Sequence, residues 1–179
     1  MDHFYQNLKD WFNYETLYSE IAKTIPSEGS FAEIGCWQGK SLAYFAVECI
    51  NLQKKIKLYA VDKWELSGIY TQYFKNCTDP DGLYNKFILN MNPIISNLNI
   101  LRMSSINAAK QIKDESLDAV FIDASHEYED VLEDLNAWYP KVKSGGYFCG
   151  HDYDPSPGSG AFPGVQKAVH EFFINKKKK

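Results

Sequence analysis

The sequence predicts an α/β fold: a three-layer α/β/α sandwich around a mainly parallel sheet. Three observations carry this. Five short apolar runs, at 30–34, 57–62, 99–103, 118–123 and 146–151, read as buried parallel strands. Helical patterns lie between them, so strand, helix and strand recur as right-handed crossovers. The first run leads through glycines into a helix start: Phe31-Ala32-Glu33-Ile34-Gly35-Cys36-Trp37-Gln38-Gly39-Lys40-Ser41.

The elements follow in chain order. Residues 1–27 form an N-terminal helical segment. Phe4, Tyr5, Leu8, Trp11, Phe12, Leu17, Tyr18, Ile21 and Ala22 recur mostly at three- and four-residue steps, with a break near Asn13. Pro26 and Gly29 stop that pattern before the first strand. The second strand ends in acid, Leu58-Tyr59-Ala60-Val61-Asp62. A long interval, 63–98, precedes the third strand. Leu83, Tyr84, Phe87, Ile88 and Met91 supply its crossover helix, which leaves 63–80 as an insertion beside the strand ends, suited to a lid. After the fourth strand, Tyr128, Val131, Leu132, Leu135, Trp138, Tyr139 and Val142 make one helical stripe. A last helix covers 164–174.

At 179 residues the chain reads as one domain, 1–179, with enough apolar material for a core. The formal charge is −4. Without the terminal lysines 176–179, 15 basic residues face 23 acidic ones. Such an acidic body argues against a nucleic-acid partner held by phosphate contacts. The end, 175–179, reads as a disordered lysine tail. No apolar run has the length of a membrane span, and the first residues lack a signal-peptide pattern, so a cytoplasmic location without a membrane partner is expected. Cys36, Cys49, Cys77 and Cys149 have no Cys-x-x-Cys spacing and read as free thiols.

The chemistry gathers at the strand ends. Gly35 and Gly39 permit a tight turn that a ligand can approach closely, and Ser41 with the nearby amides at the helix start can take a carboxylate. Asp62 follows Gly39 by 23 residues. A carboxylate ending an apolar strand needs a partner, and the two hydroxyls of a ribose provide one. The spacing is Glu-x-Gly-x-x-x-Gly, which lacks the second close glycine of a dinucleotide fingerprint. A nucleoside cofactor fits better than a dinucleotide.

Further along stand Val120-Phe121-Ile122-Asp123-Ala124-Ser125-His126-Glu127-Tyr128-Glu129, then Ala137-Trp138-Tyr139-Pro140-Lys141-Val142-Lys143-Ser144-Gly145-Gly146, then Gly150-His151-Asp152-Tyr153 and Pro163-Gly164-Val165. In this order and spacing, residues 28–174 resemble a class I S-adenosylmethionine-dependent methyltransferase with a Rossmann-like fold. Within that group the chain is similar to the small O-methyltransferases related to the macrocin, rhamnosyl and catechol enzymes. The resemblance implies S-adenosylmethionine as cofactor, with Glu33 near its methionine part. It places Ser104 and Ser105 in an adenine-contacting loop, where Met103 stands in place of a frequent glycine. Trp64 would flank the adenine or be a plain core tryptophan. Asp123 counts with both the cofactor-contacting and the catalytic residues.

In metal-dependent relatives, acids at the positions of Asp123 and Asp152 hold magnesium. Here His151 replaces a further acid, which allows a two-carboxylate site, another divalent metal with His151 as ligand, or none. His126 stands where relatives carry a general base; capping the next helix or donating to the substrate are its alternatives. His3 and His170 lie in helical patterns and read as structural. The activity implied is methyl transfer to a hydroxyl of a small molecule or carbohydrate. The alternatives are an inactive S-adenosylmethionine-binding protein and a nicotinamide-dependent oxidoreductase. The family usually closes its sheet with a C-terminal antiparallel strand pair, which is missing from this sequence. The fifth strand would then be an open edge, which suggests a homo-oligomer.

Overall fold

A computed structural model describes residues 1–9, 11–65, 79–154 and 162–177, the side chains of 175–177 excepted. Five parallel strands form one sheet in the order β3-β2-β1-β4-β5. They are β1 (Ser30–Ile34), β2 (Lys57–Asp62), β3 (Leu98–Arg102), β4 (Leu117–Ile122) and β5 (Val142–Gly150). The helices are α1 (Glu15–Thr24), α2 (Lys40–Asn51), α3 (Gly82–Met91), α4 (Ser105–Gln111), α5 (Tyr128–Trp138) and α6 (Pro163–Lys177). This is the three-layer α/β sandwich expected.

The side-chain alternation of each strand divides the core in two. Phe31, Leu58, Ala60, Ala119 and Phe121 point toward α1, α2 and α3, where Tyr18, Ile21, Phe45, Leu83, Phe87 and Met91 bury against them. Ala32, Ile34, Val61, Val120 and Ile122 point the other way, onto Ala108, Val131, Leu135, Trp138, Ala168 and Phe172 of α4, α5 and α6. β1 and β4 are buried along their whole length, as central strands covered on both faces must be.

Several boundaries differ from the sequence reading. The N-terminal stripe is not one helix: a 3-10 turn at Tyr5–Asn7 precedes α1, and 8–9 and 11–14 are not helical. Aromatic packing wins over helix period there, because Tyr5 meets both Phe12 and Tyr44 edge to face. β5 begins at Val142, earlier than expected, because the glycine pair lies inside it. Between the pairs Leu117↔Val142 and Ala119↔Tyr147 the register shifts in a bulge. Lys143 from the bulge donates to both oxygens of Asp118 at 2.9 Å, and Asp118 also accepts the Ser30 N–H at 2.8 Å. Burial opposes the charge on Asp118, but the bonds from Lys143 and Ser30 outweigh it and hold the carboxyl below its usual range. The helical backbone of α6 continues to Lys177, into the lysine run read as disordered. Of the 63–80 insertion, residues 66–78 lie outside the described residues.

The centre of the sheet, where β1 and β4 adjoin and the chain order reverses, brings strand ends together. The Gly35 N–H donates to the Val61 carbonyl at 2.8 Å, and the Asp123 N–H to the Ile34 carbonyl at 2.8 Å. Gly35 has φ +90°, and a Cβ added there would lie 1.9 Å from the Asp123 carbonyl oxygen. Gly145, in the bulge, has φ +79° but open space around it. The two glycines separate backbone strain from steric exclusion. Gly145→Ala should cost only the left-handed conformation, about 1–2 kcal/mol. Gly35→Ala adds a backbone collision and should cost more than about 4 kcal/mol or prevent folding. Urea unfolding of both variants checks this, and equal losses would refute it.

Candidate functional site

The turn after β1 and the acid after β2 are one unit. Asp62 is half-buried, and its Oδ2 accepts the Trp37 N–H at 2.9 Å while its Oδ1 accepts the Trp64 N–H at 2.7 Å. Both tryptophans have left-handed backbones, φ 47° and 51°. Such residues persist where surrounding bonds hold them, and here the Asp62 carboxylate holds both. Burial pushes the Asp62 carboxyl up, against the pull of the N–H bonds from Trp64 and Trp37. The Lys63 N–H bonds this carboxylate as well, which leaves part of its lone-pair capacity for a ligand hydroxyl.

Four residues assigned to a cofactor have other first partners. The Ser41 hydroxyl donates to Glu33 at 2.8 Å, and Tyr18 donates to the other oxygen of Glu33 at 2.7 Å. Glu33 is buried, so these bonds are what makes its position tolerable. Ser105 donates to Asp134 and accepts the Trp138 indole N–H at 2.7 Å. Trp64 is fully buried against Tyr84 and Phe87, and its indole N–H donates to the Trp37 carbonyl at 2.8 Å. Of its two readings, the core tryptophan is the one the packing matches. Gly39, at φ +87°, is the N-cap of α2, and a Cβ there would meet Met91 and Phe87. Its smallness thus serves the core. Ser104 is the N-cap of α4, with no side-chain capping bond.

The second half of the site forms beyond β4 and β5. Asp123 and His126 follow β4, and His151-Asp152 follow β5. Ligand atoms of Asp123, His126 and Asp152 all lie within 4.8 Å of one another. His126 Nε2 is 2.8 Å from Asp152 Oδ2, and His151 Nδ1 is 3.1 Å from Asp152 Oδ1. Burial opposes ionisation of Asp152, but its hydrogen bonds from His126 and His151 win and hold the carboxyl well below the usual range. Asp123 goes the other way: burial raises it, with neighbouring Asp152 adding to the rise and the histidines opposing. The His151 imidazole is raised by its bond to Asp152, against desolvation. Asp152 has a left-handed backbone, φ 61°, and its side chain is bonded by both histidines, so the surrounding contacts hold it there.

His151 falls outside the set that could share one ion, and His126 falls inside it. The sequence reading offered His151 as the possible ligand and His126 as the base; here it is His126 that joins Asp123 and Asp152. The reason is tertiary: Nδ1 of His151 points at Asp152, and Nε2 points away to Asn13 Oδ1 at 3.2 Å. His126 does not cap α5, whose N-cap is Glu127. Its ring stacks on Phe162, centroids 3.8 Å apart, and a Cβ at Gly164 would lie 2.3 Å from the His126 carbonyl. The start of α6 thus packs directly on this turn. Sequence reasoning missed Tyr14, whose hydroxyl is 3.4 Å from Asp123 and whose ring stacks on Phe121, and it missed Asn13. The break in helix period near Asn13 was their signal. An open concavity of about 420 Å³, lined by Glu15, Ser19, Lys23 and Tyr44 among others, lies on α1, away from the strand ends.

With this geometry in place, comparison with known proteins is informative. Residues 32–153 match the model of a family described as Methyltransferase domain. The chain belongs to that family. It is 28% identical over 166 residues to an uncharacterized protein of Acanthamoeba polyphaga mimivirus, covering 89% of this chain and 68% of that one. Among solved structures, an rRNA methylase from Streptococcus thermophilus superposes with a TM-score of 0.59 at 13% identity, covering 93% of this chain and 81% of that one. A SAM-dependent O-methyltransferase from Thermotoga maritima superposes with a TM-score of 0.58 at 15% identity, covering 93% of this chain and 53% of that one. These likenesses show the class I S-adenosylmethionine-dependent methyltransferase fold. Among the described residues, no helix is long and apolar enough to cross a membrane.

Asp134, behind the Ser104–Ser105 turn, offers a pH test of this region. Burial pushes its carboxyl up to about 6, against the Ser105 bond and with help from Asp130 and Glu133. The folded value lies above the unfolded one, so the proton stabilises the fold. That stability is complete below the unfolded pKa of about 3.9 and is lost as pH rises through about 6. On the order of 2–3 kcal/mol should disappear between pH 4 and pH 7. Asp134→Asn should not lose this amount, so its advantage over the wild type in urea unfolding should grow with pH. A difference constant across that window would contradict the assignment.

Proposed function

We propose that this chain is an S-adenosylmethionine-dependent O-methyltransferase acting on a hydroxyl of a small molecule or a carbohydrate. The observation that carries this is the convergence of Asp123, His126 and Asp152 at the sheet's switch point, directly beside the Gly35 turn. The donor set fits the cofactor: the Asp62 carboxylate at the end of β2 keeps lone-pair capacity for a ribose hydroxyl. Bound there, S-adenosylmethionine would supply an electrophilic methyl group. Asp62 would take the ribose hydroxyls, and the Ser104–Ser105 turn would border the adenine. The Glu33 carboxylate would act behind the turn, through its bonds to Ser41 and Tyr18.

The protein's work in such a transfer is alignment and proton removal. Asp152 accepts from His126 Nε2, which leaves Nδ1 of His126 as the basic nitrogen for the acceptor hydroxyl. Asp152 stays ionised and stabilises the imidazolium that forms, and Phe162 shields one face of the ring. The 4.8 Å cluster also supports a second reading, in which Asp123, His126 and Asp152 hold a divalent ion that polarises the hydroxyl. Two carboxylates and an imidazole favour manganese or a softer ion over magnesium. His126 cannot serve both as ligand and as base through the same nitrogen. β5 is an edge strand of the sheet, and self-association along it remains part of this reading.

Calorimetry with S-adenosylhomocysteine is the first test, and binding is expected. Asp62→Asn keeps one acceptor oxygen but loses the charge, and should weaken that binding by on the order of 2 kcal/mol. A nicotinamide dinucleotide that raises the melting temperature more than S-adenosylhomocysteine would favour the oxidoreductase instead. With labelled S-adenosylmethionine and a panel of sugar and phenolic acceptors, His126→Ala should lower turnover by about 10²–10⁴-fold. Chelator separates the two readings, since it should abolish turnover only if an ion is used. Tight cofactor binding with no transfer to any acceptor would indicate a binding protein that does not catalyse.

A further inference from the structure

We propose that Asn13, in the non-helical segment before α1, is a positioning residue of the reaction centre. It holds His151 so that His151 donates to Asp152, and so sets the carboxylate that faces His126. This rests on reading that cluster as the reaction centre. The links are contiguous: Asn13 Oδ1 to His151 Nε2 at 3.2 Å, His151 Nδ1 to Asp152 Oδ1 at 3.1 Å, and Asp152 Oδ2 to His126 Nε2 at 2.8 Å. Each of the two oxygens of Asp152 thus meets one imidazole. Rotation of the His151 ring would release one of them.

An imidazole held at only one nitrogen can turn about its side-chain torsions, whereas one held at both cannot do so without breaking a bond. The carboxylate accepts, so Nδ1 must carry a proton. The side-chain amide of Asn13 can meet Nε2 as acceptor or, flipped, as donor.

The segment is placed for this task by its neighbour. Tyr14 stacks on Phe121 of β4 with centroids 4.6 Å apart, lies 5.1 Å from the His151 ring, and meets Phe12 and Tyr18 nearly edge-on. Its hydroxyl reaches Asp123. Anchoring Tyr14 against the sheet leaves the adjacent Asn13 little freedom, although Asn13 itself is exposed. A segment outside the sheet thereby touches both acids of the centre, one directly and one through a histidine.

The test uses the full chain labelled with ¹⁵N-histidine, at one fixed pH. It holds four histidines, so His3 and His170 serve as internal controls. In the wild type, long-range ¹H–¹⁵N spectra should show Nδ1 of His151 protonated; an unprotonated Nδ1 would overturn the proposal even if no variant folds. Asn13→Ala should shift the ring signals of both His151 and His126 and leave those of His3 and His170 in place. Asn13→Asp, which retains an acceptor, should restore the His126 signals toward wild type. Ring signals that do not move, or a change confined to His151, would refute the relay.

S-adenosylhomocysteine affinity, measured by calorimetry on the same samples, should be equal in the wild type and Asn13→Ala. A loss of about tenfold or more would place Asn13 with the cofactor and overturn its assigned role. Wild-type protein that fails to bind S-adenosylhomocysteine would bring down the methyltransferase reading, and the reaction-centre role with it. Unmoved ring signals in a protein that does bind it would bring down the Asn13 proposal alone.

Discussion

The contact between Gly35 and the Asp123 carbonyl is the constraint on which the rest of the site depends. β1 and β4 are neighbours in the centre of the sheet, and the chain leaves them in opposite directions. For the glycine turn and the acid-bearing turn to share one pocket, their backbones must approach to a distance that no Cβ allows. Gly35 makes that approach possible, and its left-handed φ redirects the chain toward α2. The Gly35 turn with Asp62 and the cluster of Asp123, His126 and Asp152 are thereby joined by a single backbone contact.

Around this contact, each buried acid is tied to a particular element. Glu33 joins α1 and α2 to β1 through Tyr18 and Ser41. Asp62 fastens two strained tryptophan backbones to the end of β2. Asp134 ties α5 to α4 through Ser105. Asp118 holds the bulge of β5 to the starts of β1 and β4. A carboxylate in a low-dielectric setting is costly when unpaired, so each of these residues both demands and enforces a local arrangement. Asp123 and Asp152 differ in facing each other's partners, the two histidines. Their carboxyls are displaced in opposite directions, which leaves a cluster able to handle a proton or a cation.

The comparisons fit this division of labour. The matched span, 32–153, runs from within β1 to just past Asp152 and so holds both halves of the site. It leaves out Asn13 and Tyr14, which reach the cluster from the N-terminal side, and Phe162, which covers His126 from the other. The contacts from outside the family span come from segments off the sheet, the kind that vary most among proteins sharing a scaffold.

The sequence by itself determined the existence and order of the strands, the helices between them and the strand-end positions of Glu33, Asp62, Asp123 and Asp152, while the start of β5 was set by its bulge. Those features follow from period and local chemistry, which a chain carries in its order of residues. It also marked the site's two turns, because glycine spacing and terminal acids are local signals. Only the tertiary structure decided which groups each side chain meets. Ser41 and Ser105 looked free for a ligand but are engaged by Glu33, Asp134 and Trp138; these partners lie 8, 29 and 33 positions away in the chain. His151 falls outside the ligand set it was expected to join, because the direction of an imidazole depends on the two atoms it meets, and one of these belongs to Asn13, 138 positions away. The extent of the N-terminal helix was likewise settled by aromatic contacts with α2 rather than by its own period. Side-chain partners set by distant segments leave no local signature, whereas periodicity does.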